Sequence, residues 1–253
     1  MRDLVSAPAY DGETAGSLAR ALSLPRVVVF DEVTSTMDAA HELASAGAPA
    51  GTLVIADTQL LGRGRSGSRW SSARGAGIWC TLVERPNDAA VLDVLSLRVG
   101  LRVARVLDRF VAVTVSLKWP NDLYLTGGKL GGILVESRWR DGRPDWVAIG
   151  IGVNILAPAD QPAAASLGPG TARLHVLSEL IPAVRAAAAA RGHLTPREVA
   201  DFTARDLAAG RPCRSPRAGR VAGIAEDGAL LVVTAAGVQR CRDGSLVLDG
   251  DPS

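Results

Sequence analysis

The sequence predicts an α+β protein in which a mixed β-sheet with helices precedes a small all-β module. In the longer part, runs of β-branched residues alternate with a long stretch that has a helical apolar face. Two β-rich runs then flank an Asp-Gly pair, which is typical of a hairpin. Five short β runs follow Gly210 and are separated by turn residues, a pattern that favours a small barrel. We therefore predict two domains, at 1–209 and 210–253.

The elements of the first half follow from local patterns. Ser35 and its neighbouring threonines offer N-cap oxygens for a helix, and Gly47 is a natural stop. The predicted elements are, in order, a helix at Thr14–Leu22, a strand at Val27–Phe30, a helix from Thr36 toward Ala46, strands at Leu53–Ala56 and Ile78–Val83, a helix at Ala89–Phe110 and a strand at Val111–Leu117.

The second half is predicted in the same way. Thr195 and Glu198 match a capping box, with a proline at the first helical position between them. The predicted elements are strands at Gly132–Trp139 and Trp146–Ile155, a helix around Leu174–Arg191 that Pro182 interrupts, a helix from Pro196 that ends before Gly210, and strands around Cys213, at Gly219–Ile224, Ala229–Thr234, Val238–Cys241 and Ser245–Leu248.

Composition excludes several classes of protein. The chain has 253 residues, a formal net charge of +2 and 47% hydrophobic residues, which argues against disorder and against a bulk-charge attraction to nucleic acid. No apolar run is long enough for a membrane span. Three scattered cysteines form neither a disulfide framework nor a metal cluster and fit a reducing compartment, so we expect a cytoplasmic protein without a membrane partner.

The densest group of functional residue types is Gly62–Trp70. It matches G-x-G-x-x-G, and Asp88 lies 21 residues after Gly67, but Ser68–Gly77 has no helical apolar face to complete a dinucleotide-binding unit. Glycines let a ligand approach the backbone, and guanidinium groups bind phosphate or carboxylate. The segment indicates an anion site, and a solvated surface loop is the alternative.

Three further segments carry polar residues at strand ends. Lys118–Asp122 is either an ordinary Pro-Asn-Asp turn or a site for a nucleotide and its Mg²⁺. Gly127–Gly132 surrounds Lys129 with glycines but is no Walker A loop, because Leu123 stands where that motif needs glycine. Asn154 lies in an apolar run and needs a hydrogen-bond partner.

No nucleophile stands out, since the three histidines are isolated and none visibly pairs with a cysteine, serine or acid in the sequence. The chemistry rests on cations, glycines and amides, which favours charge stabilisation and positioning, as in phosphoryl or nucleotidyl transfer.

Taken in order, the segments Gly62–Trp70, Lys118–Tyr124, Gly128–Glu136 and Gly150–Ile155 resemble the signature segments of biotin–protein ligases. Phe30–Met37 and Gln59 match the same family's biotin-facing positions. The resemblance implies a catalytic fold related to class II aminoacyl-tRNA synthetases and an SH3-like C-terminal domain. It also implies a reaction in which biotin and ATP give biotinyl-5′-adenylate, and biotin then passes to a lysine of a biotin carboxyl carrier protein domain.

The resemblance also implies roles for individual residues. Arg63, Arg65 and Lys129 would be catalytic, and Asp122 would meet Mg²⁺ through the nucleotide. The implied biotin-binding residues are Ser35, Thr36, Met37, Gln59, Arg63, Gly64, Arg65, Lys129 and Gly132. The implied ATP-binding residues are Arg65, Trp70, Lys118, Asn121, Lys129 and Asn154.

Other expectations follow from the resemblance. About 30 residues precede Thr34, too few for the helix-turn-helix domain of bifunctional members, so we expect no specific DNA binding and no repressor activity. We also expect Gly62–Ser68 to be mobile until an anion satisfies its arginines. Two alternatives are a lipoate or octanoate ligase or transferase of the same superfamily and a nucleic-acid-binding module. The full Gly-Arg-Gly-Arg loop argues against the first, and the low net charge against the second.

Overall fold

The first sheet carries the cleft described below. In a computed structural model, which describes residues 7–126, 128–161 and 163–251, it has seven strands in the order β1-β2-β3-β7-β6-β5-β4. Only β1 and β2 pair in parallel. The strands are β1 (Arg26–Val33), β2 (Thr52–Gln59), β3 (Gly77–Glu84), β4 (Ser116–Lys118), β5 (Asp122–Leu125), β6 (Gly128–Arg140) and β7 (Arg143–Asn154).

Five helices and a second sheet complete the described residues. The second sheet is antiparallel, in the order β11-β10-β9-β8-β12. The helices are α1 (Ala15–Ala21), α2 (Thr36–Ser45), α3 (Val91–Leu107), α4 (Arg173–Ala188) and α5 (Pro196–Thr203), and the remaining strands are β8 (Pro212–Ser215), β9 (Gly219–Ile224), β10 (Leu230–Thr234), β11 (Gly237–Cys241) and β12 (Val247–Leu248). The predicted α+β class is confirmed; the division at 209/210 stays a proposal.

Local signals place the elements next to the cleft. The Ser35 hydroxyl accepts a hydrogen bond from the Met37 amide and so caps α2, and Gly47 follows that helix with a φ of +88°. The capping box of Thr195 and Glu198 begins α5. The turn between β6 and β7 has positive φ at both Asp141 and Gly142, which matches a two-residue hairpin turn.

Two sequence predictions need correction, and one strand was missed. Residues 111–115 are not a strand, because the Val115 amide donates to the Asp108 carboxylate at 2.7 Å and β4 begins only at Ser116. Strand β5 went unpredicted, since four residues are too few for a clear alternation. Pro182 does not interrupt α4: the buried apolar residues of that helix pack on α3, and this packing outweighs the hydrogen bond that proline cannot donate.

The segment after α5, which leads into the second sheet, pairs with β4 of the first sheet. The Leu117 amide donates to the Arg205 carbonyl, and the Leu207 amide donates to the Leu117 carbonyl, both at 2.8 Å. The Trp119 indole donates to the Gly228 carbonyl at 3.0 Å. Among the described residues, none of the helices combines the length and the apolar character that a bilayer crossing demands. Gly127 of the glycine-rich segment lies outside the described residues.

Candidate active site

A cleft of about 580 Å³ lies over β2, β3, β6 and β7, a volume typical of a small-molecule site. Residues far apart in the sequence meet in its wall. Of the residues predicted for the site, every one but Lys118 lines the cleft: Ser35, Thr36, Met37, Gln59, Arg63, Gly64, Arg65, Trp70, Asn121, Asp122, Lys129, Gly132 and Asn154.

One end of the cleft is a fixed polar network. The Gln59 Oε1 accepts from the Thr36 amide at 2.9 Å and from the Thr36 hydroxyl at 3.1 Å, while its Nε2 donates to the Ser72 hydroxyl at 2.8 Å. The Thr36 hydroxyl also lies 2.9 Å from the hydroxyl of Thr81, a fully buried residue of β3. Because these groups hold one another, they present donors and acceptors to a ligand in a fixed geometry. Thr81 was missed by sequence reasoning, since it lies in an otherwise apolar strand.

The wall beside this network is apolar. Met37 is 3% exposed, and a Cβ at position 150 would lie 2.8 Å from its methyl carbon, so Gly150 leaves the room that this side chain fills. Cys80 also lines the cleft, and burial raises the pKa of its thiol to about 12. A thiol protonated at neutral pH is a poor nucleophile, which agrees with the absence of a nucleophile in the sequence pattern.

The glycine–arginine segment folds into a tight hairpin, Gly62–Trp70, over the cleft. The Gly64 amide donates to the Ser68 carbonyl at 2.8 Å, and the Trp70 amide donates to the Gly62 carbonyl at 2.9 Å. The turn has positive φ at Ser66 (51°) and Gly67 (77°). Gly62 is required by close approach, because a Cβ there would lie 2.4 Å from the Trp70 carbonyl oxygen.

Two of the three arginines of this hairpin, Arg63 and Arg65, already have partners. Arg63 donates to the carboxylates of Asp38 and Glu136, each at 2.6 Å. Arg65 donates to the Gly244 carbonyl at 3.1 Å. The premise that only a bound anion could satisfy these arginines is therefore wrong; whether the hairpin is mobile in the free protein stays a prediction.

The opposite end of the cleft carries the lysine. Lys129 Nζ lies 2.7 Å from Asp122 Oδ1 and 5.4 Å from the centre of the Trp70 ring. The side chains of the two predicted asparagines hydrogen-bond to main-chain carbonyls. Asn121 donates to the Ile133 carbonyl at 2.8 Å. Asn154, which is buried, donates to the Ala165 carbonyl at 3.0 Å. These bonds fix the strands and loops from which the cleft is built.

Trp70 lies against the floor of the cleft. Its ring is within contact distance of Cβ positions built on Gly132 and Gly152, and it packs edge-on against Trp79 with ring centres 6.2 Å apart. Its indole nitrogen is buried and has no hydrogen-bond partner among the described residues.

Lys118 is not brought to the cleft. Its Nζ lies 2.6 Å from Asp251 Oδ2, and its side chain is 11% exposed. Two opposing effects act on the pKa of the Asp251 carboxyl. Partial burial raises this pKa, whereas the hydrogen bonds from Lys118 and from the Leu248 amide lower it. The hydrogen bonds have the larger combined effect, so the pKa is lowered. Burial, and then the charges of Asp122 and Asp251, raise the pKa of the neighbouring Tyr124 to about 12.

The loop between β11 and β12 contributes to the same cleft, which sequence reasoning did not predict. Ser245 and Leu246 line it, and they follow Gly244, whose carbonyl accepts the hydrogen bond from Arg65. Among the described residues, no group of three or more His, Cys, Asp or Glu side chains could hold a metal ion. Asp122 is a single carboxylate at the cleft, which fits Mg²⁺ bound mainly through nucleotide phosphates.

Comparison with known proteins identifies the family to which the chain belongs. Residues 29–154 match the biotin/lipoate A/B protein ligase family. A biotin–[acetyl-CoA-carboxylase] ligase from Mycobacterium tuberculosis is 35% identical over 190 residues, which cover 70% of each chain. The chain belongs to the biotin/lipoate A/B protein ligase family. The expected membership among biotin–protein ligases is confirmed.

Another relative and a solved structure are also similar to this chain. A bifunctional ligase/repressor, BirA, from Bacillus spizizenii is 40% identical over 131 residues, and the match spans 51% of this chain but only 40% of that relative's length. The structure of a biotin protein ligase from Aquifex aeolicus in complex with biotin and ATP superposes with a TM-score of 0.72 at 24% identity, over 89% of this chain and 99% of that one. This last likeness shows the shared fold.

Proposed function

We propose that the chain is an ATP-dependent biotin–protein ligase that transfers biotin to a lysine of a biotin carboxyl carrier protein domain. The observation that carries the proposal is the cleft itself, where the Thr36–Gln59 network, the hairpin and Lys129 meet. The ligase named for the Mycobacterium tuberculosis relative and the biotin and ATP named for the Aquifex aeolicus structure support it.

In the first step a biotin carboxylate oxygen attacks the α-phosphorus of ATP, and the bond to the β-phosphate breaks to release pyrophosphate. Two anions must be held together, so cations that screen them lower the barrier. Lys129, at the Asp122 end of the cleft, is placed for this task, with Arg65 on the hairpin above it. Mg²⁺ would be met by Asp122 and would neutralise phosphate charge.

In the second step the amine of the carrier lysine attacks the acyl carbon of the adenylate, AMP leaves and the amine loses a proton. No covalent enzyme intermediate is needed, which agrees with the high thiol pKa of Cys80. Water would attack the same mixed anhydride, and the hairpin over the cleft would exclude it.

Substrate positions follow from the two ends of the cleft. The Thr36–Gln59 network, with Ser35 and Met37, would hold the biotin ring system, because its donors and acceptors suit a urea group. Trp70 would face the adenine. Lys118 stays a proposed ATP contact, and it would have to exchange Asp251 for a phosphate.

The test is a reconstituted reaction. We expect ATP-dependent pyrophosphate release with biotin but not with lipoate, followed by labelling of a purified biotin carboxyl carrier domain. Turnover with lipoate alone would instead support the lipoate-ligase alternative. Cytoplasmic location and absence of repressor activity stay predictions.

A further inference from the structure

Arg63 points away from the floor of the cleft into a shallow cavity of its own. Charged and polar side chains surround its guanidinium: Asp38, His41, Glu42, Glu136, Ser137 and Arg138 line this cavity with it. Nothing in the proposed chemistry uses these residues. Two of them, Asp38 and Glu136, nevertheless contact the hairpin that covers the cleft.

The guanidinium is held on two sides. One terminal nitrogen lies 2.6 Å from Asp38 Oδ1 and the other 2.6 Å from Glu136 Oε1. Asp38 follows Met37 in the first turn of α2, and Glu136 lies two residues beyond Leu134 on β6; both Met37 and Leu134 line the cleft. The two carboxylates therefore extend directly from the wall of the cleft to the hairpin.

His41 orients the carboxylate of Glu136. His41 Nδ1 accepts a hydrogen bond from the Trp146 indole at 3.0 Å, so the ring proton of neutral His41 is on Nε2. That Nε2 lies 3.0 Å from Glu136 Oε2 and donates to it. One carboxylate oxygen of Glu136 thus accepts a hydrogen bond from His41, and the other accepts one from Arg63. These two bonds fix the plane of the carboxylate.

We propose that Asp38 and Glu136 are positioning residues that hold the hairpin closed over the cleft through Arg63. We call the three residues the latch. Arg63, Asp38 and Glu136 are 39%, 47% and 29% exposed, so the pairs add little to overall stability. A small free energy is nevertheless enough to change the ratio of open to closed hairpins about ten-fold. The consequence for the reaction, retention of the activated intermediate, rests on the proposed function.

The first arm of the test needs no ligase activity. Arg63, Arg65 and Arg69 are trypsin sites within the hairpin, so cleavage after Arg65 reports its opening. We expect Asp38→Asn and Glu136→Gln each to speed this cleavage in the free protein, and the double variant to speed it about 10-fold. Glu179→Gln, which removes the carboxylate of a surface pair with Arg109, should leave it unchanged.

A double-mutant cycle tests whether Glu136 acts through Arg63. In an Arg63→Ala background Glu136→Gln should have no further effect on cleavage after Arg65. An equal effect in both backgrounds would mean that Glu136 acts through the fold, and the latch would be wrong. Asp38, whose side chain is nearly half exposed, gives the same test with little risk to folding.

The second arm measures the intermediate. Dissociation of biotinyl-adenylate, followed with an unrelated lysine-rich protein as the acceptor, should be faster in both latch variants, while the rate of adenylate formation changes less. If cleavage by trypsin responds but dissociation does not, the latch closes the hairpin without retaining the intermediate and its role in the reaction is overturned. If wild type forms no adenylate, the proposed function fails, and the trypsin result still decides whether the latch closes the hairpin.

Discussion

Gly132 of β6 and Gly152 of β7 face each other across the sheet, and the indole of Trp70 lies in the space that their missing side chains leave. The pair differs in how closely the ring approaches. A Cβ on Gly132 would lie 3.5 Å from the nearest ring atom, an ordinary contact, whereas a Cβ on Gly152 would lie 2.7 Å from the ring. Backbone glycines thus determine where Trp70 rests.

Gly152→Ala is expected to displace Trp70 and raise the KM for ATP at least about ten-fold, because the methyl group overlaps the indole. Gly132→Ala is the matched control and should raise it much less, since its methyl group meets only ordinary contacts. The measurement is pyrophosphate release as a function of ATP concentration, with tryptophan fluorescence as a monitor of the ring. Equal KM values for the two variants would contradict this placement of Trp70.

Lys129→Ala is expected to lower the rate of adenylate formation by roughly 10²–10³ without unfolding the protein, because a preorganised cation would be lost from the cleft. Lys118→Ala should lower it less, since that side chain is held by Asp251 outside the cleft. Single-turnover formation of biotinyl-adenylate measures both rates, and thermal unfolding checks the fold. Near wild-type pyrophosphate release from Lys129→Ala would refute its catalytic role.

Asp206 is expected to make stability depend on pH. Burial raises the pKa of its carboxyl to about 6, and its Oδ2 has no hydrogen-bond partner among the described residues. A pKa raised from the unfolded value of about 3.9 to about 6 gives stability that is present below pH ~4 and lost as pH rises through 6, on the order of 3 kcal/mol.

The variant Asp206→Asn should not lose this stability as pH rises. Urea unfolding of both proteins from pH 4 to 8 gives the difference between their free energies of unfolding, which cancels the titration of other carboxyls. We expect the difference to shift in favour of the variant as pH rises. Asp201→Asn, which removes a surface carboxylate paired with Arg105, should not reproduce the shift. Parallel curves for wild type and Asp206→Asn would contradict the argument.

The chain is expected not to bind DNA specifically. The formal net charge is only +2, and the arginines that stand out in the sequence are local to one loop, Gly62–Trp70, rather than spread over a basic surface. A gel shift with the upstream region of the biotin genes, in the presence of biotin and ATP, should show nothing tighter than nonspecific binding. A saturable shift that depends on biotin would refute the prediction.

Much of the fold follows from local signals. Capping residues such as Ser35 and Thr195, and the Asp141-Gly142 turn, act within a few residues of themselves, so the sequence predicts their elements well. Pro182 was misjudged because burial of α4 against α3 is a tertiary effect. The same limit applies to β5, whose four residues become a strand only beside β6.

The site was predicted as a set of residues rather than as an arrangement. Motif spacing identified Arg63 and Lys118, but their ion pairs join residues 73 and 133 positions apart, to Glu136 and Asp251, and no local pattern reveals such partners. Thr81 is a further case, because a lone threonine in an apolar strand gives no signal until Thr36 is placed against it.

The chain has only two lysines, Lys118 and Lys129, and each lies in an ion pair with an aspartate, Asp251 or Asp122. Under the proposed function this protein makes a mixed anhydride that acylates amines, and an ammonium held by a carboxylate does not attack an acyl carbon. Arginine supplies nearly all of its positive charge, and a guanidinium stays protonated and unreactive. Neither lysine is then a ready target for the adenylate, so activated biotin that escapes the cleft will label the lysines of surrounding proteins rather than those of the protein that released it.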